Sequence, residues 1–403
     1  MSTYIYILFT FVYFFLGYSI KNDKSTKVFV LLTFAMPFTN FTTNFHTIFQ
    51  VSTYLFFFVG ALVKDHKSVN NLSQSVKLIY ALIAVLFFLY LPLTLNNGFI
   101  DILKDIKPYL FLGLIVLFLN KYSQYAIDTI SEKFILRCLQ INCIIAVLFY
   151  ASMHLFDLHL LLIEDPYYKN NELRYTNLAS YCIPLLFINS VITSKKIRID
   201  EALYMIIPML LTGNRTIILV SLFVALTYYF SKWNLKARLT AITITPFVIV
   251  TMFYVLSLFD NNTSLSRFKK LFDLEYLSHA MSTRLEPLFL SFGDYNVFNY
   301  FVGNGFGHNY YIPWFEYREN IENYNIYLDN IYATLYGKFG LFFFVPILFF
   351  IVLLKNYSSK QVYNYLVLYF LLVGLTNSFI YQPYLPWFLF VLAITLNKTR
   401  AKS

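Results

Sequence analysis

The sequence predicts an all-α, polytopic integral membrane protein, and three observations support that fold class. Of 403 residues, 58% are apolar and only 13% are charged. The mean hydropathy of +0.59 lies far above the range of soluble globular proteins. Apolar runs long enough to cross roughly 30 Å of hydrocarbon recur from end to end. No soluble part separates from the rest, so residues 1–403 are predicted to form a single transmembrane domain.

The apolar runs predict about 12–13 transmembrane helices. The predicted spans lie near residues 4–20, 27–40, 45–63, 76–95, 107–120, 134–153, 176–193, 199–212, 214–230, 238–259, 331–354, 362–378 and 380–396. The second, fifth and eighth are short or interrupted by Pro or Gly, which is typical of tilted, paired or half-crossing helices. The first lacks a positive start and a signal-type cleavage site, so we expect it to be retained.

Basic residues in the loops predict the orientation. One set of alternating loops, together with the C-terminal tail, carries 19 Lys and Arg residues, whereas the opposite set carries ten although its loops are longer. The positive-inside rule places the first set in the cytoplasm. The opposite set holds 15 of the 21 acidic residues and is predicted to face the external side, as is the N-terminus.

One long polar stretch, residues 260–330, belongs to the external set and lies between two very apolar segments. It holds nine of the 21 acidic residues. A structureless loop of this length is unusual inside a folded domain. We therefore predict a large, partly helical periplasmic loop inserted in the transmembrane domain, and we expect the functional site there.

Arg215 is the first candidate site residue, because it follows a sharp break between two apolar runs. Gly213 permits a tight turn, and Asn214 is a good N-cap for the next helix. A helix N-terminus beside a guanidinium is suited to bind an anion. The alternative is that Arg215 extends to a lipid headgroup.

Three further arginines, Arg174, Arg284 and Arg318, belong to the same external face. Several guanidiniums on one side indicate a polyanionic ligand such as a pyrophosphate. Arg318 is flanked by Glu316 and Glu319, so a solvated ion pair is the alternative there.

A glycine-rich run follows, with Gly303, Gly305 and Gly307 at alternate positions. It matches a phosphate loop only weakly, and no nucleotide is expected outside the cell, so we interpret it as a turn that lets a substrate approach the backbone. His308 comes next and is predicted to line the site. The six histidines and three cysteines lack metal-ligand spacing, so no metal and no cofactor is predicted.

Asp329 and Asn330 directly precede the span that starts near residue 331. A carboxylate at the bilayer edge is costly and often functional, whereas an N-cap for the following helix is the alternative role. Lys338, two turns further along, is predicted to face the bundle interior or an aqueous cavity.

In this order the residues resemble the O-antigen polymerase and ligase family, whose members are similar to the GT-C type of membrane glycosyltransferase. The resemblance covers about residues 170–350. It rests on Arg174 with Asn177, the helix-end Gly213 to Arg215, the loop residue Arg284, the glycine run 303–307, Asp329 with Asn330, and Gly337 with Gly340. Asp329 stands where the family has His.

The resemblance implies a GT-C-like fold in the inner membrane of a bacterium. It also implies a metal-independent glycosyltransferase that joins undecaprenyl-pyrophosphate-linked oligosaccharide units, as donor and acceptor, on the periplasmic face. A protein that regulates chain length is a further implied partner, in addition to the lipid bilayer; nucleic acid is not. In this interpretation Asp329 is the general base, and Arg215 and Arg284 stabilise the charge on the leaving pyrophosphate. The substrate-binding residues would be Arg174, Asn214, Gly303, Gly305, Gly307, His308 and Asn330.

Two other functions remain open. A ligase that attaches the finished glycan to a lipid core or a protein would share the same site, and Asp329 in place of His argues only mildly against it. A flippase for lipid-linked oligosaccharides would need charged residues along a cavity within the spans, where the sequence offers Arg137 and Lys338.

Overall fold

Helices form most of the regular structure in this computed structural model, which describes residues 2–35, 53–64, 74–156, 177–193, 198–212, 214–236, 238–240, 243, 254, 274–313, 323–382 and 384–400. The α-helices are α1 (Ser2–Tyr18), α2 (Asp23–Ala35), α3 (Leu55–Lys64), α4 (Gln74–Thr94), α5 (Phe99–Thr129), α6 (Glu132–Phe156), α7 (Ile183–Thr193), α8 (Ile199–Leu211), α9 (Arg215–Lys232), α10 (Leu274–Ser291), α11 (Val297–Val302), α12 (Ile331–Phe339), α13 (Phe344–Tyr357), α14 (Lys360–Gly374) and α15 (Leu385–Arg400). Short 3-10 turns lie at Ala179–Tyr181, Phe292–Asp294, Gly340–Phe343 and Phe379–Tyr381. A small antiparallel sheet pairs β1 (Tyr310–Tyr311) with β2 (Tyr324–Asn325), with Tyr310 opposite Asn325.

Four segments of the described chain are long and apolar enough to cross a membrane. They are Val76–Thr94, Glu132–Ser152, Arg215–Lys232 and Ile331–Tyr357. Shorter apolar helices lie at Ile7–Tyr18, Leu55–Lys64, Ala179–Thr193 and Leu385–Thr395. The prediction of a mostly helical membrane protein is confirmed at this level. The count of thirteen spans and the GT-C-like arrangement stay predictions.

Described helices overlap the other predicted spans, whereas most of 238–259 lies outside the described residues and the described positions there, 238–240, 243 and 254, are helical. The largest difference is α5, which has 31 residues where the sequence predicted a span over 107–120. Polar residues at its start, Asp101, Lys104 and Asp105, belong to the helix rather than to a loop. Asp101 and Lys104 form an ion pair of 3.1 Å along it, at the spacing that neighbouring helix turns allow.

The span predicted over 331–354 corresponds to the candidate span Ile331–Tyr357, but its helix breaks in the middle. Helix α12 ends at Phe339, because the φ of 54° at the next residue, Gly340, is incompatible with a continuing α-helix. Helix α13 begins after one 3-10 turn. The run around the break is so apolar that composition alone could not distinguish one helix from two. The break puts peptide groups that lack helical partners inside an apolar segment, where they need other hydrogen-bond partners.

Aromatic side chains fill the centre of the bundle. Phe29 of α2 stacks on Phe57 of α3 with ring centres 3.7 Å apart, and Trp387 of α15 meets Phe29 edge-on at 5.5 Å. Phe118 of α5 contacts Phe58 of α3 at 4.8 Å. Such ring pairs contribute about 0.5–1.5 kcal/mol each beyond their buried area. Part of the high aromatic content therefore holds α2, α3, α5 and α15 together.

Helices α9 and α14 pack side by side. Ser231, at the end of α9, lies 3.2 Å from the hydroxyl of Tyr365 in the early part of α14, measured from Oγ. The ring of Tyr228 contacts the same tyrosine at 5.5 Å. Further along α14, Tyr369 forms a side-chain hydrogen bond with Ser221, which lies nearer the start of α9. The two helices therefore run antiparallel, and the start of α9 and the end of α14 lie at the same end of the bundle.

Candidate functional site

The glycine turn, residues 303–307, packs against the broken end of α12. The N–H of Gly305 donates to the carbonyl of Lys338 at 2.8 Å. The hydroxyl of Tyr90, from α4, donates to the carbonyl of Phe339 at 2.8 Å. Carbonyls in the last turn of a helix have no partner within that helix. The turn and Tyr90 therefore supply the hydrogen bonds that the break removes.

At the three glycines of this turn, protein atoms fill the space that a side chain would occupy. Their φ angles are 85° at Gly303, 78° at Gly305 and 83° at Gly307. A side chain on them would contact Lys338, Thr94 and Ile102, respectively. Helices α12, α4 and α5 therefore occupy the side of the turn where these side chains would lie. The interpretation of this run as a place where a substrate approaches the backbone stays a prediction.

Residues at the end of α4 and in the link to α5 form hydrogen bonds with the same turn. The side-chain amide of Asn97 donates to the carbonyls of Asn304 at 2.9 Å and Phe306 at 2.7 Å. The hydroxyl of Thr94 accepts from the N–H of Phe306 at 3.2 Å. The large polar segment is thus anchored to a candidate membrane span by hydrogen bonds to its backbone.

Lys338 and Asp105 form a buried ion pair beside the turn, with no exposed surface on either side chain. Lys338 Nζ also donates to the carbonyl of His308 at 3.2 Å. Asp105 Oδ2 also accepts from the N–H of Gly307 at 2.7 Å. A buried charge without its partner is strongly destabilising, so these contacts fix α5, α12 and the turn relative to one another. The prediction that Lys338 faces the bundle interior is confirmed.

Two tyrosines enclose the ion pair on its inner side. Lys338 Nζ lies 5.6 Å from the centre of the Tyr381 ring, within the range of a cation–π interaction. The Tyr381 ring contacts that of Tyr109 at 6.5 Å, and Tyr109 in turn contacts Phe306 at 5.6 Å. The charge pair therefore lies among aromatic rings, which shield it from water.

His308 follows the turn and is half-buried beside a tyrosine pair. Its Nε2 lies 3.2 Å from the hydroxyl of Tyr295, and its ring contacts that of Tyr310 at 4.8 Å. Burial and the positive charge of Lys338 lower the pKa of His308 to about 3. The imidazole is therefore neutral at physiological pH. Its Nε2 either donates a hydrogen bond to the hydroxyl of Tyr295 or accepts one from it, depending on the tautomer. Its predicted role in lining a site stays a prediction.

The two residues before α12, Asp329 and Asn330, differ in their contacts and in their exposure. Asn330 is the N-cap of α12: its side-chain oxygen accepts from the N–H of Ala333 at 3.0 Å. Its amide also donates to the carbonyl of Leu375 at the end of α14, at 3.2 Å. Asn330 is buried and Asp329 is exposed. The cap is thus provided by Asn330, and the Asp329 carboxylate is left at the surface.

Arg284 lies on α10, which packs against β1 and α12. The next residues of that helix, Leu285 and Leu288, belong to a small apolar cluster with Leu328 and Ala333, which flank Asp329. The half-buried Arg284 is therefore positioned beside the start of α12.

Arg215 is the first residue of α9, and Asn214 is the N-cap, as predicted: its side chain accepts from the N–H of Ile217 at 3.3 Å. The start of α9 lies at the end of the bundle where α14 finishes. Asn330 bonds to Leu375 at that same end. The structure therefore places half-buried Arg215 and exposed Asp329 at one end of the bundle.

Three candidate residues, Arg174, Gly213 and Arg318, lie outside the described residues. Asn177, which the sequence paired with Arg174, is buried, and its amide donates to the carbonyl of Phe34 at 3.2 Å. Asn177 therefore has a structural contact with α2.

Sequence reasoning missed Asp105, Tyr295 and Asn97, which hold the turn in place. A signal for Asp105 was present: Asp101 and Asp105 are four residues apart, so they share one helix face, directly before the apolar run 108–119. No local sequence pattern connects Tyr295 with His308, 13 positions away, or Asn97 with the turn, which is more than 200 positions away.

Within the described part of the chain, no group of three or more His, Cys, Asp or Glu side chains is arranged to hold a metal ion. No curated protein and no solved structure matches the sequence. Residues 1–402 match a protein family described as a family of unknown function, DUF6369, and the chain belongs to that family.

Proposed function

We propose that this protein is a membrane glycosyltransferase that polymerises oligosaccharide units into a surface polysaccharide such as O-antigen or capsule. Donor and acceptor are both oligosaccharides linked to polyprenyl pyrophosphate. The reaction takes place at the periplasmic end of the bundle, in the inner membrane of a bacterium.

One observation supports this proposal above the others. Two arginines and a carboxylate that lie far apart in the sequence come to the end of the bundle where α9 and α12 begin. Arg215 and Arg284 are half-buried, and Asp329 is exposed. A site with two guanidiniums and an accessible carboxylate provides what transfer from a pyrophosphate donor needs.

In the proposed step, the acceptor hydroxyl attacks the anomeric carbon of the donor sugar and gives its proton to Asp329. The bond between that carbon and the pyrophosphate oxygen breaks, and polyprenyl pyrophosphate leaves with the bonding electrons. Arg215 and Arg284 stabilise the charge that develops on the leaving group, by planar hydrogen bonds that match phosphate oxygens. No metal is needed for this charge balance.

The resemblance to the O-antigen polymerase and ligase family supports the same chemistry. It brings the same residues, Arg215, Arg284 and Asp329, into one sequence pattern. Because Asn330 is the cap of α12, that helix does not need Asp329 as its cap.

Deletion of the gene in its natural host tests the proposal. We expect surface polysaccharide on a gel to keep the band with one repeat unit on its lipid core and to lose the ladder of longer chains. A plasmid copy of the gene should restore the ladder. If even the one-unit band is lost, the polymerase proposal is wrong, because transport or attachment of the units has failed, as expected for a flippase or a ligase. An unchanged ladder contradicts all three functions.

A flippase is the remaining alternative, and the Lys338–Asp105 pair bears on it. These buried charges face each other and are enclosed by Tyr381 and the glycine turn. Charges of a transport path contact water or cargo, whereas this pair contacts protein. The arrangement therefore favours a structural role for the pair, and it supports the polymerase proposal over the flippase.

A further inference from the structure

Helix α11, in the middle of the polar segment, has an apolar surface that the protein does not cover. Val297, Phe298 and Phe301 lie on one face of this helix and are 75%, 55% and 56% exposed. Residues 295–313 contain no Asp, Glu, Lys or Arg. Clustered exposed apolar side chains mark a surface that contacts a protein or a membrane.

The depth of α11 relative to the candidate spans follows from its contacts. The carbonyl of Tyr300 accepts from the hydroxyl of Tyr336 at 3.2 Å, and the backbone of Phe301 lies against Gly340. Gly340 is well inside the apolar segment Ile331–Tyr357. The adjoining residue Phe339 is bonded to Tyr90, which lies within the span Val76–Thr94. Helix α11 therefore lies level with apolar parts of two candidate spans.

The exposed face of α11 continues onto the broken span. The 3-10 turn beside it and the start of α13 expose Leu341, Phe342 and Phe344. Leu348, one turn further along α13, is also exposed. Residues 339–354 contain no charged side chain. Both surfaces together form one apolar face at the level of the helix break.

The polar groups of α11 are bonded within the protein, as an apolar solvent requires. Asn296 and Asn299 form a reciprocal capping box at its start, with both hydrogen bonds 3.0 Å long. The amide of Asn299 also donates to Asn304 Oδ1 at 2.7 Å. The hydroxyl of Tyr300 donates to the carbonyl of Phe292 at 3.1 Å.

We propose that α11 lies in the bilayer leaflet at that end of the span, with Val297, Phe298 and Phe301 in contact with lipid acyl chains. The segment 260–330 is then not wholly in water: one part of it enters the membrane and packs against the broken helix. Continuity with the apolar face of α13 identifies the occupant of this surface as lipid. This inference does not depend on the proposed function.

Spin labels in the protein, reconstituted in phosphatidylcholine–phosphatidylglycerol vesicles, test this placement. Labels are attached at Phe298→Cys and Phe301→Cys, with Leu348→Cys as the lipid-facing control and Tyr324→Cys, exposed on β2, as the water-facing control. The native thiols Cys138, Cys143 and Cys182 are buried, and the unsubstituted protein provides the labelling blank. We expect labels at 298, 301 and 348 to collide more with oxygen than with a water-soluble nickel complex, and the label at 324 to show the reverse.

If positions 298 and 301 behave like position 324, the helix lies in water and the proposal is wrong. If neither reagent reaches them, another protein or a second copy covers the face, which also overturns it. Because a substitution can disturb folding, the unsubstituted protein is also cross-linked in vesicles that contain a lipid with a photoactivatable acyl chain. The peptide 295–304 should be labelled together with the peptide 344–354, and labelling of the second alone would contradict lipid contact.

Discussion

Lys338 and Asp105, which are 233 positions apart in the sequence, neutralise each other inside the bundle at the point where the glycine turn meets the broken helix. This pair joins α5, α12 and the polar segment in one contact. We therefore expect the packing of the glycine turn against α5 and α12 to require both charges of the pair.

Removing one member of the pair should therefore cost more than removing both. We expect Lys338→Met or Asp105→Leu alone to destabilise the protein by about 3–5 kcal/mol, because each leaves a buried charge without a partner. The double variant should be closer to the wild type, since two apolar side chains then replace two ions. Thermal unfolding in detergent measures this. Equal damage from the single and double variants would show that the pair is not the source of the effect.

The glycine turn can be tested with a matched control on the same segment. Gly303→Ala should destabilise the protein, because φ is positive and the new methyl group would contact the Lys338 backbone. We expect a loss of at least ~1 kcal/mol. Gly293 has open space around it, so Gly293→Ala is the control and should have little effect on thermal unfolding. Similar losses from both substitutions would contradict the packing described for the turn.

The lowered pKa of His308 should make the stability of the protein depend on pH. Its pKa is lowered to about 3 in the folded protein, against 6.5 for an unperturbed histidine. As the pH falls below about 6.5, the unfolded chain gains a proton at this residue that the folded protein does not accept, so stability decreases. Above that pH the residue contributes no pH dependence.

We expect His308→Gln to remove part of the loss of stability between pH 6.5 and 4. The matched control is His279→Gln, since His279 is exposed on α10. Unfolding midpoints across this pH range provide the measurement. A wild-type profile that His308→Gln leaves unchanged would show that the imidazole is not held neutral.

Replacing either arginine of the candidate site with lysine should strongly reduce activity. Arg215→Lys and Arg284→Lys keep the charge but lose the planar fork that binds a pyrophosphate in two places. Removing one such donor costs about 3 kcal/mol, or on the order of a hundredfold in rate. Complementation of the deletion strain, read as the polysaccharide ladder at matched expression, measures the loss.

Arg198→Lys is the control for these arginine variants. Arg198 makes an exposed two-point contact with Asp200, at 2.6 and 3.0 Å, outside the candidate site. Exposed pairs of this kind contribute little to stability, so the ladder should stay complete. Full activity of the Arg215 and Arg284 variants would remove both residues from the proposed chemistry.

Local sequence patterns predicted the helices well where apolar periodicity had clear ends. The span predicted over 76–95 corresponds to α4, and Asn214 caps α9 as expected. The break at Gly340 was missed, because the surrounding residues are apolar in either arrangement and only the packing of the glycine turn distinguishes them.

The candidate site was predicted only in part for the same reason. Local sequence identified Lys338 and Asp329 as costly charges near the membrane, but not their surroundings. The partner of Lys338 lies in a helix more than two hundred positions away, and no local pattern connects the two. Asp329 and Asn330 were equally good caps by residue type, and only the hydrogen bond from Ala333 separates their roles.

We propose that Asp329 accepts the proton in glycan transfer at the end of the bundle that also holds Arg215 and Arg284. The most direct test is purified protein in vesicles with radiolabelled oligosaccharide units on polyprenyl pyrophosphate, in the presence of EDTA. We expect products of two and more units with release of polyprenyl pyrophosphate from the wild type, and none from Asp329→Asn, which preserves size and leaves the Asn330 cap intact. If the wild type leaves all label in single units, or Asp329→Asn forms chains as fast as the wild type, the claim is wrong.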